Sequence, residues 1–299
     1  MEHAHRAVAT PRRPRGISRT SAGAAMSVNT TKDGDFARRY GQWALIAGGS
    51  EGVGASLADQ LAARGLDVVL VARNGPLLER VAAGIRDRHG VATRTLVADL
   101  TTPDIDTQIC KVTEGLEVGL LIYNAGAANR TTTFLEMDLD YSLSQIKLAC
   151  MGPVTLVKRF APAMVERGRG GIVLVGSLAC LGGSATIAVY SAVKAFDHNF
   201  AEALWAELHP HGVDVISTPL GRTWTEASER LGVVRDPNID MPSDEAALEI
   251  VENIGNGPVH VVGEFNRLAA SNVWAVDRRA LVEMLSAASW HFANSLTQS

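Results

Sequence analysis

The strongest constraint on the fold is a regular alternation of short apolar runs and longer segments of helical spacing, which begins at Gly41. The runs are rich in valine, leucine and isoleucine and are too short for core helices, so they indicate strands. Strands joined through helices run parallel, and the helices then cover both faces of the sheet. The sequence therefore predicts an α/β fold with a doubly wound, seven-stranded parallel sheet, whose strands are 43–47, 67–72, 93–97, 120–123, 172–175, 213–217 and 259–262.

The composition indicates one folded domain preceded by an extension. The chain has 299 residues, and 46% of them are hydrophobic, which is enough for one large core. Residues 1–38 are expected to be a disordered N-terminal extension, because their Arg, Ser, Thr and Pro content cannot bury a core. Residues 39–299 are expected to form a single domain, with helices at 52–64, 75–88, 137–165, 187–209 and 274–295.

Charge and cysteine usage exclude several classes of protein. The net charge is −4, although residues 1–25 contain five arginines and a single glutamate, so the body of the chain is acidic. Binding to a nucleic acid needs a basic face, and no such partner is expected. The spacing of Cys110, Cys150 and Cys180 fits no zinc pattern. We expect no metal site and reduced thiols in a cytoplasmic protein.

Hydropathy predicts no membrane span. No apolar run reaches the roughly 18 residues that a spanning helix needs. The N-terminal residues also lack the apolar stretch of a signal peptide.

A glycine-rich loop joins the first predicted strand to the first predicted helix, with the sequence Ala-Gly-Gly-Ser-Glu-Gly-Val-Gly over 47–54. Glycine permits a tight turn and lets backbone N–H groups approach a pyrophosphate. The start of the helix adds free N–H groups and the positive end of its dipole. The segment is therefore a candidate phosphate-binding loop, and its alternative interpretation is an ordinary turn between a strand and a helix.

The spacing of this loop resembles that of the short-chain dehydrogenase/reductase family, whose members have a Rossmann-type fold. The resemblance implies that Gly48, Gly52 and Gly54 are the loop glycines and that Asp99 caps the adenine. The segment 124–126, Asn-Ala-Gly, resembles the family's segment beside the cofactor, although the Asn that usually precedes it is Tyr123 here.

The end of the second predicted strand favours NADP(H) over NAD(H). A site that selects NAD needs a carboxylate there for the ribose 2′-hydroxyl, and Ala72 offers none. The guanidinium of Arg73 suits a 2′-phosphate. Glu51 argues against this choice, because its carboxylate can lie near that phosphate.

The predicted helix at 187–209 carries a candidate catalytic pair, Tyr190 and Lys194, four residues apart and thus on one helical face. A tyrosine hydroxyl is a poor base at neutral pH, and a neighbouring ammonium favours its ionised form. Ser177 follows the fifth strand, at the sheet edge where ligands bind in such folds. The family resemblance implies that Tyr190 is the acid or base, that Ser177 orients the carbonyl, and that Lys194 also holds the cofactor ribose.

Two departures from the family pattern leave an alternative open. The family's Asn on the long middle helix, which holds a water in the proton relay, corresponds to Ala149. The family's Pro-Gly pair after the sixth strand is Leu220-Gly221, and Thr223 remains as a candidate partner for the nicotinamide carboxamide. Because Ala149 cannot hold a water, the alternative function is a cofactor-binding scaffold or sensor with weak or no turnover.

Together these observations predict an NADP(H)-dependent oxidoreductase acting on a carbonyl or secondary alcohol of an apolar small molecule. The apolar character is inferred from Leu181, Ile187, Trp224, Leu231 and Met241, which are expected near the pocket mouth. The family resemblance also implies a homodimer or homotetramer built on the long helices. The predicted cofactor-binding residues of this single dinucleotide-binding catalytic domain are Gly48, Ser50, Gly52, Val53, Gly54, Arg73, Asp99, Leu100, Asn124, Ala125, Gly126, Tyr190, Lys194, Gly221 and Thr223.

Overall fold

The computed structural model describes residues 30–126, 130–230, 232–273 and 278–297, and it confirms the doubly wound α/β architecture. Within these ranges, six strands form one parallel sheet: β1 (Trp43–Ala47), β2 (Asp67–Ala72), β3 (Thr93–Val97), β4 (Val118–Tyr123), β5 (Gly170–Ser177) and β6 (Val213–Leu220). Their order is β3-β2-β1-β4-β5-β6, so the direction of winding reverses between β1 and β4. Ligands bind at such a switch point in open α/β sheets.

The predicted seventh strand is the one element of the sheet that differs. Segment 259–262 runs beside β6, where the His260 N–H donates to the Ser217 carbonyl at 2.9 Å and the Val262 N–H donates to the Pro219 carbonyl at 3.1 Å, but it forms only one isolated bridge, between Ser217 and Val259. Pro219 of β6 has no N–H to donate to the His260 carbonyl, and Pro258 has none to extend the pairing in the other direction. The main sheet therefore has six strands. A separate two-stranded parallel pair, β7 (Thr223–Trp224) and β8 (Met241–Pro242), follows β6.

The helices agree with the predicted alternation, with one interruption. The long middle helix predicted at 137–165 consists of two α-helices that flank a π-helical turn, Lys147–Met151. The last predicted helix begins at Arg278, and residues 274–277 lie outside the described residues. The helices are α1 (Thr30–Tyr40), α2 (Gly52–Ala62), α3 (Gly75–His89), α4 (Ile105–Val112), α5 (Leu139–Ile146), α6 (Gly152–Arg167), α7 (Ala188–Leu208), α8 (Glu226–Arg230), α9 (Ser243–Glu252), α10 (Glu264–Val273) and α11 (Arg278–Thr297).

The core lies on both faces of the sheet. On one face, Leu57 and Leu61 of α2 and Ile250 of α9 pack with the apolar side chains of the strands. On the other face, Leu156 and Met164 of α6 contribute to a second buried cluster. Both faces are covered because the connections between strands carry the chain over the sheet, which explains why β1, β2 and β4 are almost continuous apolar runs.

Helix α11 docks on the segment that leads into α7. Ser184 Oγ donates to the carbonyl of Leu285 at 2.9 Å, and the backbone N–H of Ala185 donates to Ser286 Oγ at 3.0 Å. The final helix thereby holds the chain just before α7.

One helical run among the described residues, Leu139–Arg167, is long and apolar enough to cross a membrane by length and composition alone. Its most apolar window is 44% buried in the protein, where Leu156 and Met164 pack on the sheet. A core helix passes the same test, so this run is weak evidence for a span.

The buried carboxylate of Asp214 joins the end of α1 to β6. Residues 1–29 of the predicted extension lie outside the described residues, but α1 begins at Thr30, and its Phe36 packs against the core. Asp214 of β6 accepts hydrogen bonds from the Arg39 guanidinium at 2.7 and 2.8 Å and from the Tyr40 hydroxyl at 2.8 Å. Burial, followed by the charge of Asp214, raises the pKa of Tyr40.

We expect Asp214→Asn to lower the free energy of unfolding by about 2 kcal/mol, because a neutral amide cannot replace a carboxylate that accepts three hydrogen bonds. Urea unfolding followed by circular dichroism measures this change. Glu207→Ala removes an exposed carboxylate and is the control, with a change expected near zero. Equal stabilities of the Asp214→Asn and wild-type proteins would contradict the role assigned to Asp214.

Candidate active site

A cleft of about 1150 Å³ lies along the carboxyl ends of the strands. It forms there because the register aligns the strand ends: Ala47 of β1 lies beside Val71 of β2 and Tyr123 of β4. The structure brings every predicted site residue except Gly54 to the wall of this cleft: Gly48, Ser50, Gly52, Val53, Arg73, Asp99, Leu100, Asn124, Ala125, Gly126, Ser177, Tyr190, Lys194, Gly221 and Thr223.

The glycine-rich loop turns tightly between β1 and α2. Gly48 has a φ of +90° and Gly52 a φ of +53°, a region that other residues rarely adopt. The N–H of Gly48 donates to the Val71 carbonyl at 2.8 Å. Gly54 lies under the loop rather than at its surface, since a Cβ on it would be 1.9 Å from the Gly48 carbonyl oxygen. The three glycines therefore have separate and necessary roles in the shape of the loop.

The start of α2 already binds an anionic group. The backbone N–H of Gly52 donates to the carboxylate of Glu226 in α8 at 3.1 Å. Glu51 pairs with Arg230 at 2.7 Å. A helix start that binds a carboxylate of its own chain has the N–H donors and the dipole that a phosphate requires. The loop therefore fits the pyrophosphate of a dinucleotide.

The far end of the cleft contains Asp99 and Arg73. Asp99 accepts hydrogen bonds from the backbone N–H of Thr101 at 2.8 Å and from its hydroxyl at 2.7 Å. Burial acts to raise the pKa of Asp99, but these hydrogen bonds and the charge of Arg73 outweigh it and leave the pKa below its usual value. Asp99 is thus a fixed carboxylate. Arg73 is exposed beside the buried Ala72, where its guanidinium is accessible to a ligand.

The opposite end of the cleft contains the three candidate catalytic residues. Ser177 is the last residue of β5, and its Oγ accepts the N–H of Ala179 at 3.2 Å, which leaves the hydroxyl proton able to donate. Tyr190 lies half-buried in the first turn of α7. Lys194, one turn further along, is buried, and its ammonium donates to the Val175 carbonyl at 3.1 Å and to Asp197 at 3.2 Å. The arrangement can present a proton donor and a cation to a ligand in the cleft.

Tyr123 explains one departure from the family pattern. Its hydroxyl donates to the carbonyl of Leu148 in the π-helical turn. The phenol fills the space above Gly152, because a Cβ there would be 2.0 Å from its oxygen. A π-helical turn is rare and is often found at functional sites. Ala149 lies fully buried in this turn.

Four polar residues in or beside the cleft were not predicted from the sequence as site residues. Glu226 and Arg230 belong to α8, which the sequence does not mark as a helix. Gln145 lies beside Tyr190 in the cleft wall and in a smaller adjoining cavity, and its Oε1 is buried without a hydrogen-bond partner among the described residues. Only its position one turn before Ala149 could have indicated it. Asp197 could have been found as the carboxylate one turn after Lys194.

Only some of the apolar residues that were predicted near the pocket mouth line a cavity in the structure. Ile187 lines the smaller cavity with Tyr190, together with Phe134 and Met137. Met241 instead packs against the core. Leu231 lies outside the described residues. Within the described ranges no cluster of three or more His, Cys, Asp or Glu side chains is placed to hold a metal ion.

Comparisons with known proteins agree with this geometry. A family model described as short chain dehydrogenase matches residues 42–233. The very-long-chain 3-oxoacyl-CoA reductase of Rattus norvegicus is 34% identical over 211 residues, which cover 69% of this chain and 66% of the rat protein. The match therefore spans just under two thirds of the length of that relative.

Solved structures share the fold over most of their length. A 7β-hydroxysteroid dehydrogenase, studied for its stereoselectivity, has a TM-score of 0.78 at 26% identity, over 84% of this chain and 98% of its own. A short-chain dehydrogenase from Sphingobium yanoikuyae in complex with NADPH has a TM-score of 0.68 at 33% identity, over 77% and 92% of the two chains. This chain belongs to the short-chain dehydrogenase family of oxidoreductases.

Proposed function

We propose that this protein transfers hydride between NADP(H) and the carbonyl or secondary alcohol carbon of an apolar small molecule, with Tyr190 as the acid or base. The observation that supports it most is that one cleft contains both a phosphate-binding loop and, at its other end, Ser177, Tyr190 and Lys194. A dinucleotide lying along the strand ends would bring its nicotinamide to these three residues. The cofactor would supply the hydride.

The side chains of the chain itself would handle the proton. In the reduction direction, Ser177 donates a hydrogen bond to the carbonyl oxygen and orients it. Tyr190 gives its phenolic proton to that oxygen as negative charge develops there. Lys194 stabilises the phenolate that remains, since an ammonium favours a nearby anion. In the oxidation direction, the same phenolate accepts the proton of the alcohol.

The preference for NADP(H) rests on Arg73. Its guanidinium is exposed at the end of the cleft that would receive the adenosine, and Ala72 supplies no carboxylate for a 2′-hydroxyl. The carboxylate of Glu51, which would oppose a phosphate, is paired with Arg230. That pairing removes the main electrostatic objection to a 2′-phosphate.

The class of substrate is inferred from the smaller cavity and from the relatives. Apolar side chains of Phe134, Met137 and Ile187 line the cavity beside Tyr190. Two relatives, from Rattus norvegicus and Mus musculus, at 34% and 32% identity, are each named very-long-chain 3-oxoacyl-CoA reductase. We propose a ketone with an apolar substituent, and 3-oxoacyl thioesters of increasing chain length are the first compounds to assay.

Tyr190→Phe should reduce turnover by about 10²-fold or more, since it removes the transferable proton. NADPH binding should be nearly unchanged, because the aromatic ring remains. The measurements are NADPH oxidation with a panel of ketones and NADPH affinity by fluorescence titration. Tyr40→Phe makes the same chemical change away from the cleft and should keep the wild-type turnover.

Full turnover by Tyr190→Phe on a ketone that the wild type reduces would contradict the mechanism. Ala149, buried where the family has its relay Asn, favours a second candidate function, a cofactor-binding scaffold or sensor. A wild-type protein that binds NADPH and reduces none of the panel would support that second function.

Arg73→Ala should weaken NADP(H) binding far more than NAD(H) binding, because only the former has a 2′-phosphate for the guanidinium. A loss of about 1.5–3 kcal/mol, or roughly 10- to 150-fold in dissociation constant, is expected for a charged hydrogen bond. Titration of both cofactors by fluorescence measures it. Arg80→Ala, on the exposed surface of α3, is the control. Equal affinities of the wild type for the two cofactors would overturn the preference.

We also propose that two copies of the chain associate through the long helices. Exposed apolar side chains follow one another along α5, the π-helical turn and α6, and Leu139, Leu143, Ile146, Met151 and Val154 are 40–69% exposed. Such a stripe is unusual on a monomer surface. A self-complementary contact between two copies would cover it.

Light scattering at micromolar concentration should therefore show a dimer or tetramer. Leu143→Glu should shift the protein to monomer, because it places a charge in the middle of the stripe. Val234→Glu changes an exposed apolar residue elsewhere and should not. A monomeric wild type would contradict the proposal.

A further inference from the structure

Asp197 is a buried carboxylate that the mechanism above does not use. It lies three residues after Lys194 on α7, and its Oδ2 accepts a hydrogen bond from the Lys194 ammonium at 3.2 Å. The side chains of Lys194 and Asp197 are 3% and 4% exposed. Tyr190, Lys194 and Asp197 have the spacing i, i+4 and i+7, which puts all three on one face of the helix.

The hydrogen bonding of Asp197 differs from that of the structural carboxylates of this protein. Asp214 accepts three side-chain hydrogen bonds, and Asp240 accepts two from Arg222 and one from a backbone N–H. Asp197 Oδ1 has no hydrogen-bond partner among the described residues. A buried carboxylate with an unsatisfied oxygen costs stability, so folding alone does not account for it.

Lys194 needs a counter-ion if it is to act as a cation. An ammonium removed from water loses its proton readily unless an opposite charge is close. Lys194 has three donors, and the carbonyl of Val175 and the carboxylate of Asp197 accept two of them. The third is left for a ligand on the side of Gly126, where a Cβ would be 3.5 Å from the ammonium nitrogen.

We propose that Asp197 is a positioning residue that keeps Lys194 charged and holds its ammonium in the orientation needed to act on Tyr190 and the cofactor. This inference rests on the proposed function of the same site. The charge of the Asp197 carboxylate then helps to set the pH range in which Tyr190 can donate its proton.

Besides Lys194, three titratable groups among the described residues interact electrostatically with Asp197, and none of the three is a cation. Burial first, and then the charge of Asp197, raise the pKa of the Tyr123 phenol of β4. Burial and then Asp197 raise the pKa of Cys150 in the π-helical turn to about 11, with Lys194 opposing. Cys180 has its pKa raised to about 11, mainly by burial, with smaller effects of Lys194, Glu202 and Asp197. All three neighbours are therefore neutral at physiological pH, and Lys194 is the main charged group that acts on Asp197.

The pKa of Asp197 itself agrees with this assignment. Burial raises it to about 6, while the charge and the hydrogen bond of Lys194 oppose the rise. The carboxylate is therefore ionised above about pH 6, where it can serve as the counter-ion of the Lys194 ammonium. Removing this negative charge should move the alkaline limit of proton donation to lower pH, since the site would lose an anion next to its ammonium.

The test is the pH profile of ketone reduction by NADPH in wild type, Asp197→Asn and Asp197→Glu. The alkaline decline of kcat should move to lower pH by about one unit or more in Asp197→Asn, because the amide keeps the size and an acceptor oxygen but not the charge. Asp197→Glu keeps the charge and should retain a profile closer to the wild type. Asp214→Asn loses a buried carboxylate far from Lys194 in the chain, and should lower stability without moving the profile.

An unchanged profile in a folded Asp197→Asn protein would overturn the inference and leave the proposed function standing. If Asp197→Asn does not fold, Asp197→Ser is measured in its place with the same expectation. If the wild type reduces no ketone, the proposed function fails and the inference is judged by NADPH affinity against pH. As the pH is raised, the variant should then lose affinity for NADPH at a lower pH than the wild type does. Superimposable curves of affinity against pH would overturn the inference.

Discussion

The common direction of the strands is the constraint on which the rest of the site depends. Because all six run parallel, the segments that follow them emerge at one edge of the sheet. The register brings the ends of β1, β2 and β4 level, and the tight turn at Gly48 then opens the cleft. Reversing a single connection would remove a wall of the cleft.

The cleft is divided electrostatically into two ends with different tasks. Toward β2 and β3, the start of α2 and the guanidinium of Arg73 present positive charge to a ligand, and Asp99 is fixed by hydrogen bonds from Thr101. Toward β5 and β6, a single buried ammonium, that of Lys194, is balanced by Asp197. An extended ligand with phosphates near one end and a reactive ring at the other fits this distribution. The wall that includes Gln145 and Arg130 adjoins the smaller cavity beside Tyr190.

The sequence is informative about this fold where local chemistry decides the structure. The apolar runs mark β1, β2 and β4 because strands buried on both faces are almost continuously hydrophobic, whereas the edge strand β3 is only partly buried. The spacing of Tyr190 and Lys194 places both on one helical face, and the structure puts them in the same cleft as Ser177, 13 residues earlier in the chain.

Features that depend on contacts distant in sequence could not be predicted in this way. The π-helical turn requires Tyr123 of β4 to bond the carbonyl of Leu148, which no local pattern reveals. The carboxylate of Glu226 reaches Gly52 across more than half of the chain. Segment 259–262 has the composition of a strand, but its pairing with β6 is limited by Pro219 of β6, which has no N–H. The burial of Asp197, which makes its charge matter, is likewise a property of the packed helix and not of the residue type.

The most direct test of the account is to follow the hydride itself. The wild-type protein would be incubated with NADPH deuterated at the nicotinamide C4 and with a ketone, and the product would be analysed by mass spectrometry and NMR. The account predicts an alcohol that carries deuterium on the former carbonyl carbon, while the hydroxyl proton exchanges with solvent. An alcohol without deuterium, from cofactor labelled on either face of the ring, would contradict it.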